Sequence, residues 1–380
     1  NVFMLSISMI VASVPECLPI AITATLSIGV SEMAKKKSIV RNLAAIETLG
    51  ATEVICTDKT GTLTTNKMEV IKIYTDNNII NLRDIKNNPE LIDIMALCNN
   101  AAFDNKDFFG DSIEVALANY LLKYKINIED IQKKKKLIIE LPFDSDRKLM
   151  SAIYEDNKKY YIYTKGSLEN LINRCKYVLL GGKKEKLTKE IKNKYLDIEK
   201  EYSHEALKVL SFAYKEVKNK YNNEEDYFKE ENDLILVGLV ALKDPARKNV
   251  KEAIQTCRDA GIRPIMLTGD NLETALAIGK EVGIISSDDE GINASILNNL
   301  KKSELMEAIN KYSVFARVSP DNKLQIVKSL QRRKKVVAMT GDGVNDAPAM
   351  KLANVGIGMG KSGTDVTKNV ADIILLDDSY

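Results

Sequence analysis

Asp58 lies in the run Cys56-Thr57-Asp58-Lys59-Thr60-Gly61-Thr62-Leu63-Thr64, directly after the apolar residues Val54-Ile55-Cys56. That order predicts a buried strand with Asp58 on the loop just past it, where open α/β sheets hold their reactive groups. A carboxylate so placed is a candidate nucleophile toward phosphorus. Lys59 and the small hydroxyl residues Thr60 and Thr62 let an anion approach the backbone. Alone, Asp-Lys-Thr-Gly is also the composition of an ordinary solvated turn. Three later segments decide between the two.

Thr268-Gly269-Asp270 ends the apolar strand Pro264-Ile265-Met266-Leu267, so Thr268 and its backbone neighbours offer hydrogen bonds to phosphoryl oxygens. Pro320 suits the first turn of a helix, which would bring Lys323 near the strand ends as a fixed positive charge. Val336-Val337-Ala338-Met339-Thr340 runs into a glycine loop with Asp342, Asn345 and Asp346. Two carboxylates on such a loop suit a hard, oxygen-loving cation such as Mg²⁺. Four segments of this kind in order, each beside a strand or helix end, point to phosphoryl transfer.

With Asp58-Lys59-Thr60-Gly61-Thr62, Asp244-Pro245-Ala246-Arg247, Thr268-Gly269-Asp270 and Thr340 to Asp346, the chain resembles P-type cation-transporting ATPases. Their catalytic core belongs to the haloacid-dehalogenase-like superfamily. The resemblance implies a Rossmann-like α/β phosphorylation domain and autophosphorylation of Asp58 by ATP. It implies Mg²⁺ on Asp58, Asp342 and the Thr60 carbonyl, with Asn345 and Asp346 completing the shell. Lys323 and Thr268 would hold the transferred group. Soluble phosphatases of the superfamily generally carry a second Asp two residues after the nucleophile, where this chain has Thr60. Without that carboxylate, water attacking the phospho-aspartate lacks a local base, so the intermediate should persist.

Positioning elements follow from the rest of the chain. Residues 2–30 are apolar with Glu16 as the only charge, long enough to cross a bilayer. The stretch is too long, and lacks the basic leader, for a signal peptide. Lys35-Lys36-Lys37 and Arg41 place its far end in the cytoplasm by the positive-inside rule. Residues 1–34 are therefore expected to be a transmembrane helix. Pro15 and Pro19 leave helical carbonyls unpaired in its middle. The carbonyls of Val11, Ala12 and Val14 and the carboxylate of Glu16 would form an oxygen cage suited to Ca²⁺. Pro15-Glu16-Cys17-Leu18-Pro19 resembles the calcium-pump branch, with Cys17 where Gly is usual. The sodium/potassium branch usually has Leu at the position of Pro19. Mn²⁺ and Na⁺/K⁺ remain alternatives.

After Asn66 the strand–helix alternation changes texture, and it resumes near Asp244. Residues 35–66 and 244–380 are therefore expected to form one phosphorylation domain, with 67–243 as an inserted α+β nucleotide-binding domain. Asn66 and Asp244-Pro245 would be its paired hinge strands. Within the insert the resemblance points to Phe143 for stacking on adenine, with Arg147, Lys148, Lys165, Gly166, Glu114 and Lys208 around the nucleotide. Lys208 stands where the family commonly has Arg. Thr62 and Arg247 are expected at the nucleotide as well.

Net charge is +2 from 55 basic and 53 acidic residues, which gives no reason to invoke nucleic acid. Five cysteines without a C-x-x-C pair fit a reduced cytoplasmic setting. A lone His204 excludes a His-clustered metal site. One membrane helix cannot enclose a cation path. The family's actuator domain and other membrane helices are thus expected elsewhere in a longer parent, embedded in the cell membrane with its catalytic domains in the cytoplasm. Thr60 argues against the rival reading, a soluble phosphohydrolase. Intact Asp58, Lys323 and Asp342 argue against a non-catalytic module.

Overall fold

The computed structural model describes residues 18–104, 107–221 and 223–380, with Phe3, Met4, Ser6, Ile7 and Met9 before them. The chain divides into two compact units: residues 1–65 with 246–380, and the insert 66–245.

In the first unit, among the described residues, the eight-stranded sheet runs Ser38–Val40, Ile373–Leu375, Val355–Met359, Val337–Gly341, Val54–Asp58, Arg263–Leu267, Val314–Ala316, Gly291–Asn293. Every neighbouring pair is parallel except Ser38–Val40 against Ile373–Leu375. Short buried runs such as Val-Ala-Met-Thr-Gly at 337–341 are what a sheet covered on both faces requires. Val54–Asp58, first in sequence of the parallel strands, sits in the middle. Later strands are added on one side to Val314–Ala316, and then on the other from Val337. This reversal of strand order leaves a crevice at the carboxyl ends of the central strands. Asp58 itself is the last strand residue, opposite Leu267, one position earlier in the fold than the expected loop.

The helix Pro320–Arg332 starts on a reciprocal cap. Asn322 N–H donates to Ser319 Oγ at 3.2 Å, and Ser319 N–H donates to Asn322 Oδ1 at 3.2 Å. With Pro320 in the first turn, this cap fixes the turn that carries Lys323. Ile326, Val327 and Leu330 face the core beside Phe315, Val337 and Met339.

At the amino-terminal side, Leu18–Lys35 is an 18-residue helix. Its hydroxyls bond back to its own carbonyls, Thr23 to Pro19 at 2.8 Å and Ser27 to Thr23 at 2.8 Å. Met33 packs beside Ala45, Ala338 and Val355. No helix among the described residues is long and apolar enough to cross a membrane. Val11, Ala12, Val14 and Glu16, the expected cation ligands, lie outside the described residues.

The insert is built on a mainly antiparallel sheet ordered Lys183–Lys186, Cys175–Leu180, Leu234–Lys243, Lys208–Val217, Lys159–Gly166, Leu149–Asp156, Lys136–Asp144. Glu69–Thr75 also pairs with Leu234–Lys243. That strand reads Leu-Ile-Leu-Val-Gly-Leu-Val-Ala-Leu-Lys and is buried on both faces up to its last residue. Leu91, Ile94, Leu117 and Leu121 cover one side with Val240 and Phe212. Tyr195 and Tyr202, from the helix Lys189–His204, cover Leu236 and Leu239 on the other. Pairing of Glu69 with Lys243, then the single bridge Thr64 to Ala246, mark where the chain leaves and re-enters the first unit. Asn66 and Asp244-Pro245 fall between these pairs, outside the strands.

Candidate active site

Asp58, Lys323 and Asp346 form one buried cluster. Lys323 Nζ donates to Asp58 Oδ1 and to Asp346 Oδ1, both at 2.5 Å. Asp58 Oδ2 accepts the Thr60 N–H at 3.0 Å. Carboxylate oxygens of Asp58, Asp342 and Asp346 lie within 4.8 Å of one another. Gly61 makes this approach possible. Its φ is +68°, and a Cβ there would stand 1.8 Å from Asp342 Oδ2.

Two of these carboxylates, Asp58 and Asp346, share one buried ammonium, and Asp342 lies alongside without one. Burial raises the Asp58 carboxyl, Asp346 adds to the effect, and Lys323 opposes it. Burial, Asp58 and Asp346 together push Asp342 up to about 7. For Lys323, burial acts to lower the pKa, but the two carboxylates overcome it and raise it. An excess of hard oxygen donors over positive charge is what a bound divalent cation would balance, so this donor set fits Mg²⁺.

Neighbouring groups are already engaged. Lys59 Nζ pairs with Asp270 Oδ2 at 2.8 Å, which brings two expected catalytic residues together beside Asp58. Thr268 is buried at its strand end, its Oγ1 accepting from the Asp270 N–H at 3.2 Å. Gly269 has open space above its α-carbon. Asn345 is exposed on the same loop as Asp342 and Asp346. Thr57 and Thr340 join hydroxyls at 2.8 Å between the central strands, a contact that sequence spacing could not reveal.

Arg247 and Thr62, expected at the nucleotide, belong to the same unit as Asp58. Arg247 Nη2 donates to the Gly61 carbonyl at 2.6 Å and Nε to the Thr62 carbonyl at 3.0 Å. Its charge is completed by Asp378 at 3.7 Å. Arg247 therefore clamps the loop after Asp58. Thr62 is fully buried under that loop, its hydroxyl unpartnered.

The insert holds a separate cavity of about 510 Å³, lined by Phe143, Lys148, Lys165, Gly166, Glu114 and Lys208 among others. Its size suits a small-molecule ligand. Phe143 is 65% exposed and presents a bare aromatic face. Lys165 Nζ and Glu114 Oε1 form a buried pair at 2.5 Å. Gly166 is required here, since a Cβ would meet the Lys148 carbonyl at 2.3 Å. Asn100 and Glu140, which sequence reasoning missed, also line the cavity and bond to each other at 2.6 Å. Arg147 does not line it, because its guanidinium is drawn to the buried Glu231 at 2.6 Å. A second groove of about 540 Å³ runs along Asp321, Leu324 and Lys328, and none of the motif residues lines it.

Comparison with known proteins agrees with the motifs. The model of the P-type ATPase cytoplasmic domain N matches residues 87–249. Calcium-transporting ATPase 1 of Bacillus cereus is 44% identical over 384 residues, covering 100% of this chain and 43% of its own length. Calcium-transporting ATPase 1 of Lactococcus lactis is 45% identical over 382 residues, with 100% and 43% covered. A calcium-transporting ATPase of Listeria monocytogenes is 42% identical over 389 residues, with 100% and 44% covered. The chain belongs to the P-type cation-transporting ATPases. It spans less than half the length of these relatives.

Proposed function

We propose that this chain is the catalytic portion of an ATP-driven cation pump that is phosphorylated on Asp58. An Asp58 carboxylate oxygen attacks the γ-phosphorus of ATP, and the bond to the bridging oxygen breaks, leaving ADP and an aspartyl-phosphate. Lys323 holds Asp58 in place before attack and offers its charge to the transferred group, with Thr268 and the open backbone at Gly269 as further donors. Asp58, Asp342 and the Thr60 carbonyl, with Asn345 and Asp346 beside them, would hold Mg²⁺, which would supply neutralisation of phosphoryl charge. Thr60 offers no base to activate water, so the intermediate outlives the step that forms it.

ATP is bound in the insert, its base against Phe143 and its phosphates toward Lys165, Lys148 and Lys208. The phosphorylation domain, as a haloacid-dehalogenase-like core, receives the γ-phosphate as the chain flexes at Asn66 and Asp244-Pro245. The transported ion is most consistent with Ca²⁺, a reading supported by the names of the relatives and by Pro15-Glu16-Cys17-Leu18-Pro19. The amino-terminal apolar stretch would span the cell membrane, with Val11, Ala12, Val14 and Glu16 as cation ligands. An actuator domain and further membrane helices of the parent protein would complete the cycle.

The observation that carries this reading is the buried ammonium of Lys323 shared between Asp58 and Asp346, with Asp342 alongside. Incubation with γ-labelled ATP and Mg²⁺, then an acid quench, should leave a labelled, hydroxylamine-sensitive chain. Phosphate release without a labelled chain would favour a phosphohydrolase, and neither would favour a non-catalytic module.

A further inference from the structure

Glu231 is fully buried, and a charge withdrawn from water is costly unless it is paired and hydrogen-bonded. Its Oε1 accepts from Arg147 Nη1 at 2.6 Å and from Ser151 Oγ at 2.8 Å, and its Oε2 accepts from Arg174 Nη1 at 3.0 Å. Arg147 is a fork. While Nη1 holds Glu231, Nη2 donates to the Pro142 carbonyl at 2.8 Å. Its guanidinium also lies over the Phe228 ring, 4.6 Å from the centroid.

The residue after Pro142 is Phe143, and the backbone there is irregular. Leu141 pairs with Ser151 and Asp144 with Leu149, so Pro142 and Phe143 together oppose Met150 alone. Such a bulge interrupts the ladder and re-aims a side chain. At the Pro142 carbonyl, the Arg147 fork supplies the hydrogen bond. Ser151, the second group on Glu231 Oε1, shares its hydroxyl with Thr164 Oγ1 at 2.9 Å, and Thr164 precedes Lys165. One buried carboxylate is therefore tied to both strands that carry the cavity's aromatic ring and its buried cation.

We propose that Glu231 is a positioning residue for the nucleotide cavity. Acting through Arg147, it holds the Pro142–Phe143 bulge in the conformation that presents the Phe143 ring to the base. The proposal rests on the nucleotide reading given above. It also explains why Arg147, placed by sequence among the ligand contacts, is turned away from the cavity.

Calorimetric titration with ATP tests it, using the intact chain below its unfolding temperature. Phe143→Ala should weaken binding about tenfold, the worth of one stacked base, and Glu231→Gln, which loosens the charge-assisted hold on Arg147, should weaken it about as much. In the double variant Glu231→Gln should add almost nothing, because its effect runs through the ring already removed. A general loss of stability would instead add to the effect of Phe143→Ala. Should Glu231→Gln fail to fold, Arg147→Lys replaces it; a lysine keeps the charge but cannot fork to the Pro142 carbonyl, and the same tenfold loss is expected. Weakening by Phe143→Ala, with unchanged affinity in Glu231→Gln and Arg147→Lys or simple additivity, overturns the proposal alone. No ATP binding by the unaltered chain, or no effect of Phe143→Ala, overturns the nucleotide reading and the proposal with it.

Discussion

The cluster around Asp58 and the cavity around Phe143 are built on opposite plans. At Asp58 the groups are buried charges gathered at the ends of central parallel strands, nearly touching and short of positive charge. At Phe143 the ring is mostly exposed on a bulged antiparallel strand, and the buried cation at the wall, Lys165, is paired with Glu114. The first arrangement suits a reaction, because a cation and a phosphoryl group would relieve what burial has made unfavourable. The second suits reversible binding, where a stacked ring contributes without reorganising charge. Variants in the two regions should therefore separate rate from affinity.

The largest separation is expected from Lys323→Met. Removing the one ammonium shared by two buried carboxylates should slow phosphorylation at saturating ATP by about 10²–10³-fold. ATP affinity of the insert should stay within twofold, as measured by titration. Loss of affinity with an unchanged rate would invert the comparison. Gly61→Ala comes next. A Cβ at φ +68° and 1.8 Å from Asp342 Oδ2 should displace the Asp342 loop and cut the Mg²⁺-dependent phosphorylation rate about 10²-fold, given how steeply rate falls with misplacement. A Mg²⁺ titration of the rate checks this, and a normal Mg²⁺ response would show that the loops do not need that close approach. Phe143→Ala should do the reverse of both, raising the half-saturating ATP concentration about tenfold, the worth of one stacked base, while the maximal rate holds.

A smaller effect comes from pH. Asp58 and Asp342 carry raised carboxyl pKa values in the fold, Asp342 near 7. Their protonated forms favour the folded state, and that contribution is present below the unfolded carboxyl pKa and lost as pH climbs through about 7. Without divalent cations, Asp342→Asn should match the unaltered chain in stability near pH 4. It should become more stable by about 1–2 kcal/mol at pH 8, the shift being discounted for solvent screening. Thermal unfolding across this pH range reads the difference, and added Mg²⁺ should stabilise only the unaltered chain. A constant difference at all pH values would mean that the carboxylates are not in conflict.

The two regions also differed in how legibly the sequence announced them. The Asp58, Thr268, Lys323 and Asp342–Asp346 segments each sit at a strand or helix end marked by its own glycine, proline or apolar run, so their placement at those ends was legible in the sequence. The parallel sheet and the insertion near residues 66 and 245 were legible for the same reason. In the insert, Phe143, Lys165, Gly166 and Glu114, which the family resemblance singled out, line one cavity. Arg147 is bonded to a buried carboxylate 84 residues further along the chain, of which an exposed-looking arginine beside a turn gives no sign. The partners of Arg247 at Gly61 and Thr62 are likewise 186 and 185 residues away. Long-range ion pairs leave no local periodicity, so Glu231 and Asp378 emerged only from the fold.

The central claim is that Asp58 itself accepts the γ-phosphoryl group. Acid-quenched chain, digested after brief exposure to ATP and Mg²⁺ and mapped by peptide mass spectrometry, tests it most directly. The account predicts a hydroxylamine-labile phosphate on the peptide containing Asp58, absent from Asp58→Asn. A phosphate on any other residue, or one that persists in Asp58→Asn, would contradict it.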